Sequence, residues 1–550
     1  MKPQSFVRAM LGAVVAVAPP AAAADINADP STYNSLLPSL TPGDTLHLAA
    51  GHYPLLSISN MNGAPSAWIT ITGAPGDPPP TIVDADPGPC CNTVEITNSS
   101  YVAIENLTID GHAIDGAFGI SAKGGANNLV HDIRIEGCSL INFAPGSQQH
   151  DGISTKTPTW GWIIRRNKVL GAGTGLYLGN SDGNDPFIGG LIEDNLIENP
   201  IGYCMEIKWQ LPRPQVMGMP TNPTTTIIRN NVFIKNDDPS PDGDRPNLLV
   251  GGFPDTGPGA SDRYEIYGNV FFHNPRESLF QGSGRVTLHD NVFVDAPGER
   301  AMLFRDHDLP LKLAYAYDNT IYGTAIGIDF GSAAPQGDAV AGNLVFAETP
   351  ITGLIANQHD NLTDTVANAA LYVKAPSTTL GQMDFYPLAG QCMAASTDES
   401  LVANDTDYAL DFNCTPRGSF TYRGAYAGSG ANPGWSLADG IEPSKACGQG
   451  SADGGVAVSP DGGGAMDDGG SAVVSPDGGG TMDGGGSTVV APDGGGTADG
   501  SRGNKNSISG GCGCWQGPPE GDPRGGAASL GLMAIAVGLA VWRRAGERLR

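Results

Sequence analysis

The chain has 550 residues, 78 of them glycine, only 16% Asp, Glu, Lys or Arg, and a formal net charge of −27. Glycine at about twice its usual frequency and so few charges fit a turn-rich β protein with a glycine-rich tail. The acidic balance disfavours nucleic acid and anionic membrane surfaces, and it disfavours a polyanionic ligand unless basic groups gather locally.

Residues 1–24 read as an export signal. Lys2 and Arg8 flank the start of the apolar run "AMLGAVVAVA", and Ala22, Ala23 and Ala24 offer a small-residue cleavage site before Asp25. The run is too short for a permanent membrane helix. Nine cysteines in an exported chain can form disulfides. Cys392 with Cys414 is the favoured bridge, because both lie in a non-repetitive region; Cys90 and Cys91 are adjacent, Cys447 is isolated, and their pairing stays open. No cysteine spacing resembles a zinc site.

Residues 25–447 form the body, which is built from a repeat. Two or three strand residues, an Asn, three more strand residues, a short turn and a further apolar strand recur, as in "WIIRRNKVLGAGTGLYLGN" and "GLIEDNLIENPIGYCMEIKWQ". The recurring residues are Asn167, Asn195, Asn231, Asn269, Asn291, Asn319 and Asn343, spaced by 22 to 38 residues; Cys138 takes the same place earlier, and Asn106 fits one register before it. That spacing is too irregular for helical repeats. The physical reading is a coil of short parallel strands, each turn stacked on the last, with alternate apolar residues inside. An Asn in each bend tolerates left-handed backbone and hydrogen-bonds its counterpart in the next coil. A β-sandwich accounts for neither the asparagine column nor the lack of hairpin turns.

These repeats resemble the right-handed parallel β-helix, or pectin-lyase-like, superfamily over roughly residues 36–430. "TPGDTLHLAAGHY", "WITITGAPGD" and "VEITNSSYVAIENLTIDG" resemble the opening coils of its chondroitinase-B-like exported members. "DFYPLAGQC" and "DFNCTPRGSFTYRGAYAG" resemble the segment that closes such helices. The resemblance implies a single-stranded, all-β helix that carries its ligands along one sheet. The fold hosts lyases, hydrolases, epimerases and non-catalytic adhesins, so it does not choose among them.

Residues 448–510 change composition. "SPDGGG", "SPDGGG" and "APDGGG" begin at Ser459, Ser475 and Ala491, a 16-residue period without large apolar residues. Such a segment cannot offset its ordering entropy and reads as a disordered linker, spanning about 45 Å as a flexible coil. Residues 511–550 then carry "GGCGCWQG", the uncharged run Gly525–Trp542 and "RRAGERLR". Eighteen residues just cross a hydrocarbon core as a helix, and the arginines after it stay cytoplasmic. The arrangement resembles the myxobacterial C-terminal sorting signal called MYXO-CTERM. It implies a sorting peptidase acting near Cys512 or Cys514 and display at the cell surface.

The strands after each asparagine bend align as "GISAK", "GISTK", "GLYLG", "CMEIK", "NLLVG", "SLFQG", "AMLFR" and "IGIDFG". One outward column then reads Lys123, Lys156, Gly179, Lys208, Gly251, Gly282, Arg305 and Gly331. Its neighbour reads Ser121, Ser154, Tyr177, Glu206, Leu249, Phe280, Leu303 and Asp329. Lys156 and Lys208 fall about two strand spacings apart across Gly179, which makes a groove for an extended chain bearing carboxylates or sulfates. Lys208 is expected to be exposed there. β-Elimination of a uronide needs a base for the C5 proton and a cation on the carboxylate. Lys208 as base, with Lys156 or Arg305 as the cation, meets that need, and His150 and Asp151 complete the catalytic candidates.

Tyr177 and Trp209 suit stacking on a sugar; Asn180, Asp182, Gln210 and Arg245 are further binding candidates. The chondroitinase-B-like pattern pairs a strand lysine with an arginine on the next coil. Here that strand is "NLLVGG"; Arg245 lies just before it and Arg305 three coils away. Hydrolysis needs two spaced carboxylates, and Glu206 with Asp151 or Asp182 supplies them. Glu206 and Lys208 can equally form an ion pair. No cofactor or metal is expected at the site, although the "NSDGNDP" loop, residues 180–186, offers oxygen ligands to calcium. The sequence thus points to a monomeric surface protein acting on extracellular polysaccharide, with a non-catalytic adhesin or carbohydrate-binding stalk as the alternative.

Overall fold

The computed structural model describes residues 23–86, 92–124, 129–143, 146–296, 298–443 and 445. Most of the expected export signal, the linker 448–510 and the tail 511–550 lie outside them. Within them the chain winds through three parallel sheets in turn. The first, of fifteen strands, starts at Asp25–Ala28; the second, of twelve, at Gly51–Pro54; the third, of eleven, at Leu56–Ser59. Every pairing in these sheets is parallel and joins a strand to its counterpart one coil away, so the body is a parallel β-helix, as the repeat predicts. A two-stranded antiparallel sheet, Val373–Ala375 with Asp384–Pro387, follows in the closing segment.

Alternation in each strand decides what lies inside. In the first sheet Ile135, Ile164, Ile192, Ile228, Ile266, Leu288, Ala316 and Val340 stack in register, all fully buried. In the second, Phe233, Phe271 and Phe293 stack with ring centroids 5.0 and 4.5 Å apart. Each large apolar side chain buried this way contributes about 1.5–3 kcal/mol.

The asparagine column is present and continues one member further than the sequence indicated, to Asn361. Asn195 donates both its backbone N–H and its Nδ2 to Asn231 Oδ1, at 3.1 and 2.9 Å, and Nδ2 also donates to Ile164 O at 2.9 Å. The same unit repeats from Asn167 to Asn343, whose partner is Asn361. Cys138 joins through its backbone N–H, which donates to Asn167 Oδ1 at 3.0 Å.

One detail of the expectation is overturned: the left-handed residue is the one before the asparagine. Arg166, Asp194, Asn230, Asp290, Asp318 and Asp360 have φ between 53° and 56°, and Gly268 and Gly342 take 65° and 67°. The bend thus divides its work. The first residue reverses the chain, which leaves the Asn in ordinary backbone with its amide free to face the next coil. Asn106, at φ 55°, occupies this left-handed position, which explains its offset by one.

The closing segment packs on the outside of the first sheet through buried charge. Arg417 reaches Asp290 and, at 3.3 Å, Asp318, both on consecutive bends. Arg263 meets Asp405 at 2.7 Å, and Tyr267 donates to Asp407 at 3.0 Å. The expected Cys392–Cys414 bridge does not form: Cys392 is a buried free thiol, whereas Cys414 is disulfide-bonded to a partner outside the described residues. Cys392 instead packs in the cap with its Sγ 3.7 Å from Tyr372 O.

Each ladder amide satisfies donors and acceptors that no water reaches. Asn195→Leu should therefore lower stability by about 1–3 kcal/mol, by orphaning buried backbone groups. A thermal melt indistinguishable from that of the unmodified protein would refute a structural column.

Candidate active site

The third sheet presents the face that carries the candidate residues. Lys123 pairs with Lys156, and Tyr177 pairs with Glu206, which pairs in turn with Leu249. Ile207 is fully buried in the core, so Glu206 and Lys208 point outward as expected. In one coil the expected register is wrong. Phe280 pairs with Leu248 and lies in the core, and Gln281 pairs with Leu249. Gln281 therefore belongs to the column assigned to Phe280, and Ser283 to the one assigned to Gly282. The burial of an aromatic ring outweighed the apparent match between glycines.

Outward does not mean exposed. Lys208 keeps only 5% of its surface accessible and Glu206 2%, so the expectation of an exposed Lys208 is overturned. The Lys208 ammonium lies 2.8 Å from Glu206 Oε1 and 5.2 Å from the centroid of the Tyr177 ring. Asp308, in the 305–310 segment, is within electrostatic range of it. A hydrogen bond from His307 holds the Asp308 carboxyl below its ordinary value, and Lys208 adds to that effect. The ammonium is thus tied to Glu206 behind the Tyr177 ring.

Lys156 is more open, with 23% of its side chain accessible. Its ammonium sits 5.0 Å from the Phe118 ring centroid, 5.1 Å from that of Tyr177 and 3.4 Å from Asp151 Oδ2. The half-buried Tyr177 ring is thus clasped by two lysines, whose ammoniums lie no more than about 10 Å apart. Under Lys156, Asp151 is buried, and its Oδ2 accepts no hydrogen bond of normal geometry. Burial raises its carboxyl from 3.8 to about 7; Lys156 and Lys208 oppose the shift and Glu206 reinforces it.

The remaining candidates divide into supports and outliers. His150 is buried beside Phe118; its Nε2 accepts the Gly116 N–H at 3.0 Å and lies 3.2 Å from Asp115 Oδ1. Arg245 donates to Gln148 Oε1 at 3.2 Å and covers the Tyr203 ring, tying two loops together. Gln210 is buried and donates to Phe187 O at 3.0 Å, which makes it a structural strut. Trp209 packs its ring on Gly183 and so pins the 180–186 loop. In that loop Asn180 donates to Asp185 at 2.9 Å, and Asp182, exposed, accepts from the Asn184 N–H. Arg305 is exposed, in the outward column three coils beyond Lys208.

Phe118 and Asp308 were missed by the sequence reading. Phe118 could have been found, because it precedes "GISAK" at the place where Asp151 precedes "GISTK". Asp308 could not, since it is far from Lys208 in sequence and only the fold brings the two charges into range.

A carboxyl raised by folding binds its proton more tightly in the folded state than in the unfolded chain. The resulting stabilisation is complete below about pH 4 and lost as pH rises through about 7. Asp151→Asn cannot ionise, so its melting temperature should fall less than that of the unmodified protein between about pH 5 and pH 8. Parallel losses in the two proteins would show that Asp151 is not the titrating group.

No family model matches the chain, and no curated protein matches it. Among solved structures it is similar to the pectate lyase Pel9A, at 12% identity over 73% of this chain and 96% of that one, with a TM-score of 0.45. It is similar to the PL6 family alginate lyase AlyGC, at 15% identity over 62% of this chain, with a TM-score of 0.42; this chain spans about half of that protein's length, 51%. A third is the A-module of the mannuronan C-5 epimerase AlgE4 of Azotobacter vinelandii, at 14% identity over 60% and 94% of the two chains, with a TM-score of 0.37. With TM-scores below 0.5, the fold above and the reading below rest on this chain's own geometry.

Proposed function

We propose that the protein cleaves an acidic extracellular polysaccharide by β-elimination on the outward face of the third sheet. The observation that carries this is the Tyr177 ring held between Lys156 and Lys208. Accessibility favours elimination over hydrolysis. The groups a ligand reaches are the Lys156 ammonium and Tyr177, while both carboxylates, Asp151 and Glu206, lie beneath them.

In this reading Lys156 binds the uronate carboxylate and draws charge from the adjacent C5–H. The Tyr177 phenolic oxygen removes the C5 proton. The electron pair of that bond forms the C4–C5 double bond, the C4–O bond breaks, and the leaving oxygen takes up the proton now held by Tyr177 or one from water. Lys208 acts from behind the ring as fixed charge, a change from the base role its sequence position indicated. Its removal would take away the buried Glu206 carboxylate's ion-pair partner, so loss of activity in such a variant would not isolate chemistry.

With polygalacturonate, alginate and chondroitin sulfate offered in turn, one should yield an ultraviolet-absorbing unsaturated product. Tyr177→Phe should abolish turnover and keep binding; Lys156→Ala should weaken binding by roughly tenfold or more, the worth of a charge-assisted contact. New reducing ends without unsaturation would instead indicate hydrolysis, with Asp151 near neutrality as the acid. Binding without any cleavage would make the protein an adhesin.

The Cys motif, apolar run and terminal arginines of residues 511–550 support surface display, with the 448–510 segment as the tether. Deleting residues 511–550 should release the protein into the medium. Equal cell association of the truncated chain would place the anchor elsewhere.

A further inference from the structure

Asp151 stands where a ligand carboxylate would be expected to stand. Its Oδ2 lies 3.4 Å from the Lys156 ammonium without an ordinary hydrogen bond, and it is 1% exposed, so among the described residues its own strand's lysine is its nearest countercharge. We infer that Asp151 is an internal competitor for Lys156: when charged it holds the ammonium, and when protonated it yields that ammonium to an anionic sugar. The inference rests on the reading of Lys156 as the cation that binds uronate.

Among the described residues Asp151 has no other ion pair. On its own strand it faces Lys156, with His150 next to it engaged by Gly116 and Asp115. From the strand two coils on, Glu206 and Lys208 act at longer range, and those two are paired with each other. The walls between are the rings of Phe118 and Tyr177. A sugar carboxylate that takes Lys156 from an ionised Asp151 would leave a second anion beside it, buried and without its countercharge, which is costly. Against a protonated Asp151 that cost disappears. Burial sets the exchange near neutrality, about 7.

Affinity for a polyuronate should therefore fall as pH rises, although the ligand keeps its charge throughout. With polygalacturonate oligomers as the probe and Tyr177→Phe as the background to prevent turnover, Kd should rise roughly tenfold between about pH 6 and pH 8, the slope that one ionisation near neutrality imposes. Calorimetry in buffers of different ionisation enthalpy should show close to one proton taken up per ligand bound at about pH 8 and almost none at pH 6. Adding Asp151→Asn should keep the tight affinity and remove the pH dependence.

A flat Kd in the parent protein, or binding without proton uptake at pH 8, would overturn the inference whether or not the Asn variant folds. An Asn variant that keeps the full pH slope would overturn it too, with the role of Lys156 intact. Failure of Lys156→Ala to weaken binding, or no binding of the probe at either pH, would overturn the reading of Lys156 itself and the inference with it.

Discussion

The hydrogen bond from one asparagine to the next is the contact on which the rest of this structure depends. A stack of coils holds its spacing only if every bend repeats in the same geometry, because parallel strands tolerate about 4.8 Å between neighbours and little else. The bend achieves this with two residues. A left-handed one turns the chain, and an asparagine satisfies the buried backbone on both sides of the turn. Insertions of very different length then fall between coils without disturbing the register, and the 180–186 loop held by Trp209 is one of them.

That loop and the strand face together make the candidate site. The strands alone would place Lys156, Tyr177 and Lys208 on an open surface. In the folded chain one lysine becomes a buried member of an ion pair and the other stays within reach. Two lysines in one column, equivalent by sequence, are thereby given different chemistry. Desolvation is the cause: a charge that leaves water must find a partner, and Glu206 lies nearest to Lys208.

The same balance shapes the closing segment. Its acidic residues lie against arginines and tyrosines of the first sheet's outer face, and Arg417 spans two bends at once. The strongly negative chain thus uses part of its charge internally.

The sequence by itself determined the coil, the asparagine column from Asn167 to Asn343, and the outward direction of Glu206 and Lys208. These follow from alternation and recurrence, which are properties of neighbouring residues and hence visible in a string. It missed Asn361, placed the left-handed residue one position late, and put Phe280 outside. In each case the deciding contact was with another coil. Tertiary structure alone decided that Lys208 is buried, that Gln210 is a strut, that Cys392 stays unpaired and that Asp151 lies under Lys156. Burial is a sum over every segment that packs around a group, and electrostatics follow burial, so no pattern along one strand could have fixed them.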